Sequence, residues 1–184
     1  MGRDKALLTY RNSTFLNHIL EVFVERLDPV IVVLGHNEDR IRASIKTDLV
    51  SGVNSQKVKV VVNPHYSEGM LSSLQVGIAA LSSHVGVVMF TLVDHPAVQE
   101  TTLDELLTSY RKTGAQLVIP RNSGRHGHPV VATRSILNKI ENLPVTASPK
   151  DVIRRNRHDT LFLDVDDAGV LRDIDTPEEY ERLV

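Results

Sequence analysis

Cysteine is absent from this chain of 184 residues. That removes disulfide scaffolds, thiolate metal sites and cysteine nucleophiles together, and it is compatible with a reducing compartment. Tryptophan is absent too, and Phe and Tyr number four each. The core must therefore be made of Val, Leu and Ile, as in buried parallel sheets. No apolar run is long enough to cross a bilayer, and no signal-peptide pattern opens the chain, so the sequence predicts no membrane partner. Neither sign of charge dominates: 21 Lys and Arg stand against 23 Asp and Glu, a formal net charge of −2. With no long basic run, that argues against a nucleic-acid binder. The HExxH pattern, the Walker A loop and a complete GxGxxG are all missing. No GxSxG elbow occurs either, although residue types alone leave Ser-His-Asp hydrolysis open.

What is present is an alternation of β-branched apolar runs with amphipathic stretches. Strands are predicted at Val30–Leu34, Val58–Val62, Val87–Val93, Gln116–Ile119, Val130–Thr133 and Thr160–Val165. Helices are predicted at Phe15–Arg26, Asp39–Leu49, Gly69–Leu81, Thr101–Arg111, Ser135–Ile140 and Lys150–Asn156. Phe15, Ile19, Val22 and Phe23 share one face of the first helix, with Ser13 or Thr14 as its cap. Thr176-Pro177-Glu178-Glu179 starts a last helix, with a capping Thr, a Pro and two acids in its first turn. Such alternation predicts a three-layer α/β sheet. No linker, repeat or low-complexity segment divides the chain, so a single domain over 1–184 is expected.

The pattern turns on Val85–Pro96 (VGVVMFTLVDHP). A β-branched run bounded by a Pro reads as a strand buried on both faces. Asp94 is then expected at the carboxyl end of a central parallel strand, where ligands bind in open α/β sheets. Asp94 holding a metal–nucleotide complex and Asp94 merely capping the next helix both remain open.

Four polar patches interrupt the regularity. Gly2-Arg3-Asp4-Lys5 places two basic side chains beside a Gly; a solvated terminus is the plain alternative. Glu68 to Leu74 (EGMLSSL) offers backbone N–H groups at a helix start, or simply an ordinary helix start. Arg121–Pro129 (RNSGRHGHP) gathers two Gly, two Arg and two His into one loop, suited to an anionic substrate or to a turn. His126 and His128 alternate there without an evident third metal ligand. Asp164–Asp175 (DVDDAGVLRDID) carries five acids. It is either a solvated turn or the source of a second carboxylate that shares a divalent ion with Asp94.

Taken in order, the stretches GRDKALL (Gly2–Leu8), NPHYSEGMLSSLQVGIAAL (Asn63–Leu81), LVDHP (Leu92–Pro96), GRHGHPV (Gly124–Val130), Lys150–Arg155 and DIDTPEEY (Asp173–Tyr180) resemble the MobA-like NTP transferases. They resemble most the molybdenum cofactor cytidylyltransferase branch. Each stretch is weakly specific alone; the six in order span nearly the whole chain. The resemblance implies a Rossmann-like nucleotidyltransferase fold with a mostly parallel sheet. It also implies transfer of an NMP, with CTP favoured as donor, onto the phosphate of a molybdopterin-type cofactor, releasing pyrophosphate. On that pattern Asp94, with Asp175 and then Asp173, holds Mg²⁺, for which Mn²⁺ could substitute. Lys5 and Arg3 offset phosphate charge. Gly2, Lys5, Gly69, Ser72 and Ser73 contact the nucleotide, and Gly127, His128 and Pro129 shape the acceptor side. A cytoplasmic location, and a molybdoenzyme or its maturation factor as partner, follow by the same analogy.

The chain departs from the family in one place. The family begins with an apolar strand and a loop of the type LAAGxSxRMG, whose amides cradle the triphosphate. Here Met1-Gly2-Arg3 falls inside that motif, so the first strand is missing between Val30–Leu34 and Val87–Val93. The expectation is a truncated chain of modest stability with little or no transferase activity, because two buried strands each lose a ladder partner. A sugar- or alcohol-phosphate nucleotidyltransferase and a non-catalytic cofactor-binding or maturation partner protein are the alternatives.

Overall fold

A computed structural model describes residues 4–50, 57–144 and 146–184. Gly2 and Arg3 lie outside the described residues. The chain divides into two compact units, Met1–Leu81 with Ile174–Val184, and Ser82–Asp173.

In the first unit, a 3₁₀ turn at Lys5–Leu7 leads into a ribbon of β1 (Thr9–Tyr10) and β2 (Ser13–Thr14). Thr14 caps α1 (Phe15–Val24), its hydroxyl accepting the Asn17 N–H at 3.2 Å. Phe15 is fully buried, and Leu16, Leu20 and Phe23 are buried with it. The inward stripe is thus turned from Ile19 toward Leu16 and Leu20. Each such side chain contributes about 1.5–3 kcal/mol through the apolar area it removes from water. β3 (Val30–Leu34) and β4 (Val58–Val62) pair in parallel, from Val30 with Val58 to Leu34 with Val62. Both match their expected limits. The helix expected over Asp39–Leu49 is instead two pieces, α2 (Glu38–Ser44) and α3 (Thr47–Val50). Between them the Asn17 side chain binds Ser44 O at 2.8 Å and the Lys46 N–H at 3.0 Å. A side-chain amide thereby replaces helical bonding at that break. α4 (Met70–Ala79) packs on β3 and β4.

The unit is completed from the far end of the sequence. Thr176 and Glu179 form a reciprocal capping box that starts α8 (Pro177–Glu181). The Tyr180 hydroxyl then donates to Thr9 O at 2.9 Å, and the Tyr180 ring lies 5.9 Å from that of Phe15.

The second unit is built on one five-stranded sheet. β5 (Val87–Phe90), β8 (Val130–Thr133), β6 (Leu117–Asn122) and β7 (Arg125–His126) follow in that order, and β9 (Thr160–Asp164) pairs with β6. α5 (Glu100–Thr113) packs on β6 and β8, and α6 (Arg134–Glu141) packs on β8. α7 (Pro149–Arg155) starts from Ser148, whose hydroxyl accepts the Lys150 N–H at 3.3 Å.

The α/β class holds, with parallel ladders at β3/β4 and β6/β9. The β5/β8, β6/β8 and β6/β7 ladders are antiparallel. The expectation for Val87–Val93 is corrected on both counts: this strand is antiparallel to its neighbour β8 and stops at Phe90. Its register pairs Phe90 with Val130, so the next partner in line is Pro129. Proline has no N–H to donate, and the ladder cannot continue past it. Asp94 therefore stands not on a strand end but in a turn four residues beyond it, where the His95 N–H donates to Leu92 O at 3.3 Å. Among the described residues β3 and β5 each have a single ladder partner.

Candidate functional site

The first unit holds Lys5 and Asp175 from two of the expected patches, and the Glu68–Leu74 stretch, expected either to offer backbone N–H groups to a ligand or to be an ordinary helix start. β4 ends at Val62, and Asn63 continues the pairing by donating its N–H to Leu34 O at 2.7 Å. The Asn63 side chain is buried. Its Nδ2 donates to Ser72 Oγ at 2.8 Å and to Ser73 Oγ at 3.0 Å, while its Oδ1 accepts the His65 N–H at 2.9 Å. Ser72 Oγ also lies 2.8 Å from Gly69 O and 3.0 Å from His65 O. One buried amide thus fixes the whole turn from Asn63 to Ser73. Ser72 itself is buried with its hydroxyl engaged, so it braces the loop, and Ser73 is the more accessible of the pair.

Gly69 sits at φ 106°, ψ 177° immediately before α4, which begins without a side-chain cap. That backbone conformation is essentially restricted to glycine. It leaves the first N–H groups of α4 without a capping side chain, the arrangement that accepts polar ligands.

Lys5 lies at the start of the same unit and is ion-paired with Asp175. Beside it, Asp4 accepts both Asn37 Nδ2 contacts, at 3.1 and 3.3 Å, and lies 3.6 Å from the Arg40 guanidinium. Asp4, Asn37 and Arg40, with His36, Leu8 and Tyr180, line a cavity of about 630 Å³. The Asp175 backbone N–H donates to Glu179 Oε2 at 2.8 Å, as does that of Thr176. Those two bonds hold the Glu179 carboxyl below its ordinary range.

The second unit holds Asp94 and the expected acceptor loop. Asp94 Oδ1 is 3.9 Å from His95 Nε2, and both side chains are largely enclosed. The His95 ring lies 5.0 Å from that of His128. Burial, and after it the neighbouring His95, push the His128 pKa down to about 4; the Phe90 backbone and Asp94 oppose this, and Lys150 adds to it. His128 is therefore a neutral imidazole at neutral pH.

Gly127 is required by packing: a Cβ there would meet Val170 O at 2.0 Å. Its N–H donates to Pro120 O at 2.9 Å, and the His128 N–H donates to Val170 O at 3.0 Å. The His128–Pro129 bond is cis, as is Asp28–Pro29. Holding this loop is Asp167, nearly fully buried. Its Oδ2 accepts the Gln99 N–H at 2.9 Å and the Thr102 hydroxyl at 2.7 Å, and its Oδ1 accepts the Gly169 N–H at 2.8 Å.

The structure thus groups Lys5, Asp175, Gly69, Ser72 and Ser73 in the first unit, and Asp94, His128, Gly127 and Pro129 in the second. Asp173 is exposed at the end of the second unit. The roles of His95 and Asp167 were missed by sequence reasoning, as was that of Asn63, named only as the start of the stretch Asn63–Leu81. Thr102, inside α5, donates its hydroxyl to Asp167. Among the described residues no three His, Asp or Glu side chains converge on a metal-sized point. The donor chemistry does fit a hard divalent ion that takes one or two carboxylates and draws its other ligands from phosphate and water.

A family model described as MobA-like NTP transferase domain matches residues 1–161. The nicotine blue oxidoreductase of Paenarthrobacter nicotinovorans is 30% identical over 193 residues, covering 100% of this chain and 90% of that protein. A probable molybdenum cofactor guanylyltransferase of Mycobacterium ulcerans (strain Agy99) is 21% identical over 180 residues, covering 96% and 83%. The crystal structure of Rv0371c from Mycobacterium tuberculosis H37Rv superposes with a TM-score of 0.81 at 26% identity, covering 100% of this chain and 89% of that one. Its complex with manganese superposes with a TM-score of 0.77 at 27% identity, covering 99% and 92%.

Proposed function

The chain belongs to the MobA-like NTP transferase family, a family of Rossmann-like nucleotidyltransferases, and from that premise we propose that it moves an NMP from an NTP onto the terminal phosphate of a molybdopterin-type cofactor. The acceptor's phosphate oxygen attacks the α-phosphorus. The bond from that phosphorus to the α–β bridging oxygen breaks, and pyrophosphate leaves with the electron pair. Little covalent chemistry falls to the protein in such a displacement; positioning and charge neutralisation supply most of the rate.

The observation that carries this reading is the Lys5–Asp175 pair, which holds an ammonium group at a defined point in the first unit. In the proposal that ammonium moves to the triphosphate and offsets the charge that builds on the leaving pyrophosphate. Asp94 would hold the divalent ion, which when bound neutralises phosphate charge. The manganese complex of the Rv0371c relative supports a divalent requirement. Gly69 and Ser73 take the nucleotide side, and Ser72 keeps their loop in shape. Gly127, His128 and Pro129 form a rigid wall on the acceptor side. CTP is our choice of donor; the guanylyltransferase relative speaks for GTP. A cytoplasmic setting and a molybdoenzyme or its maturation factor as recipient complete the proposal. None of the described helices is long and apolar enough to cross a membrane.

The nicotine blue oxidoreductase relative favours one second reading, a redox enzyme on the same fold. Calorimetry with CTP, GTP and ATP, each with Mg²⁺ or Mn²⁺, separates the two. The transferase reading expects one NTP to bind and Lys5→Ala to weaken it at least tenfold, with pyrophosphate released once the cofactor is added. Binding of a reduced nicotinamide dinucleotide, with no NTP bound, would transfer the case to the redox reading.

A further inference from the structure

Large apolar side chains that remain exposed are few among the described residues, and Val62, Tyr66 and Met70 stand close together in sequence around the Asn63–Ser73 turn. Tyr66 is 44% exposed and Met70 is 52% exposed. A surface that gathers apolar groups beside a helix start without a side-chain cap marks a binding place more often than chance packing does.

Tyr66 is not a loose side chain. A Cβ on Gly35 would come within 2.5 Å of Tyr66 Cβ and 2.7 Å of its Cγ, so the base of the side chain rests directly on the Gly35 backbone. At the other end its hydroxyl meets His36 Nδ1 at 3.4 Å, with the two rings 5.9 Å apart and inclined at 56°. The ring is therefore held at both ends while it stays open to solvent. Next to it, nothing lies within 4 Å of where a Cβ on Gly69 would project, and α4 begins there without a side-chain cap. An aromatic face beside backbone N–H donors presents what a nucleobase uses: a π-face to stack on and donors for its ring and carbonyl acceptors.

We infer that Tyr66, positioned by Gly35 and His36, is the shelf on which the base of the bound NTP stacks, with Met70 extending the apolar surface. This rests on the nucleotidyltransferase reading and adds to it a determinant of base affinity. Gly69 leaves space beside the shelf, at a backbone conformation essentially restricted to glycine.

The test is calorimetry on the full chain with CTP, GTP, ATP, inorganic tripolyphosphate and free 6-hydroxymethylpterin. The variants are Tyr66→Ala, Tyr66→Phe and His36→Gln. Tyr66→Ala keeps the Cβ that rests on Gly35, and its thermal midpoint serves as the folding control. Stacking predicts that Tyr66→Ala weakens the preferred NTP about tenfold, while Tyr66→Phe stays within about twofold. His36→Gln, which only releases the shelf, falls between them. Tripolyphosphate, which has no ring, binds all variants alike, whereas a general loss of loop structure would weaken it too. If Tyr66→Ala binds the NTP as tightly as the parent, the shelf is overturned and the transferase reading stands. Loss of pterin binding with NTP binding intact also overturns it, by assigning Tyr66 to the acceptor. If the parent binds none of the nucleotides, the shelf and the transferase reading fall together.

Discussion

The two units solve the same problem, holding a polar loop in one shape, by opposite means. In the first, a single side-chain amide on Asn63 spans the turn to Ser72 and Ser73, and the outside of that turn is left open at Gly69, Tyr66 and Met70. In the second, backbone packs against backbone. Gly127 touches Val170 O, and a Cβ on Gly169 would meet Ala97 O at 2.2 Å. The Asp167 carboxylate ties these segments together from within. The lesson is that an open loop is braced from its buried side by hydrogen bonds that leave its outer face free. The loops that bring a carboxylate beside two imidazoles are fixed instead by the absence of space.

Asp94→Asn sharpens the comparison most. It keeps the shape of the enclosed loop but removes its charge, so transferase turnover should fall about a thousandfold, the scale of losing a principal electrostatic contact in the transition state. The thermal midpoint should move little. Retained turnover at the parental rate would remove Asp94 from the chemistry.

Substituting glycines probes the packing difference directly. Gly127→Ala forces a Cβ into a backbone oxygen and should cost about 4 kcal/mol in denaturant unfolding, at the severe end for a point change. Gly69→Ala meets no atom and pays only for its backbone conformation, about 1 kcal/mol. Equal costs would mean that the two loops are not held by different means.

Removing the polar brace in each unit comes next. Asp167→Ala strips three hydrogen bonds from buried groups and should cost about 3 kcal/mol. Asn63→Ala should cost about 2 kcal/mol, because both serine hydroxyls it leaves keep other partners or reach water. Urea midpoints of the two variants check the order.

A pH dependence confined to the second unit completes the comparison. The folded pKa of His128 lies at about 4, against 6.5 for an ordinary histidine. Below pH 6.5 the unfolded chain takes up a proton that the folded chain refuses until about pH 4. Stability therefore falls as pH drops through that window and is unaffected by this group above it. The loss at the acid end is about 2 kcal/mol, somewhat less than the full shift allows because the ring is not wholly enclosed. Unfolding midpoints of the parent and of His128→Asn, measured with a chelator from pH 4 to 8, should converge toward acid and diverge toward neutral. Parallel curves would place His128 in a more open setting.

Much of this architecture was legible because it depends on local signals. β3, β4 and β8 stop where Gly35, Asn63 and Arg134 end their β-branched runs, and Thr14, Ser148 and Thr176 cap the helices whose starts they mark. The misreadings have long-range causes. The length of β5 is set by Pro129, some forty positions away, and periodicity within Val87–Val93 carries no trace of it. Asp167 is one of five acids in a row of similar appearance, and only its partners Gln99 and Thr102 distinguish it. The β6–β7 hairpin did have a local sign in Ser123-Gly124, both at positive φ, which the reading of that stretch as a polar loop passed over. His95 carried no signal beyond its place next to Asp94.

The return of Ile174–Val184 to the first unit bears on how a ribosome delivers this protein. The second unit is continuous in sequence and has all its strands once Asp173 has emerged. The first unit has then been waiting since Leu81, with Thr9 O, the Phe15 ring and Lys5 still lacking Tyr180 and Asp175. Order of synthesis and order of completion are therefore reversed: the segment made first is finished last. A nascent chain stalled at Asp173 would hold a folded second unit and a first unit open at the surface where its lysine is to be seated.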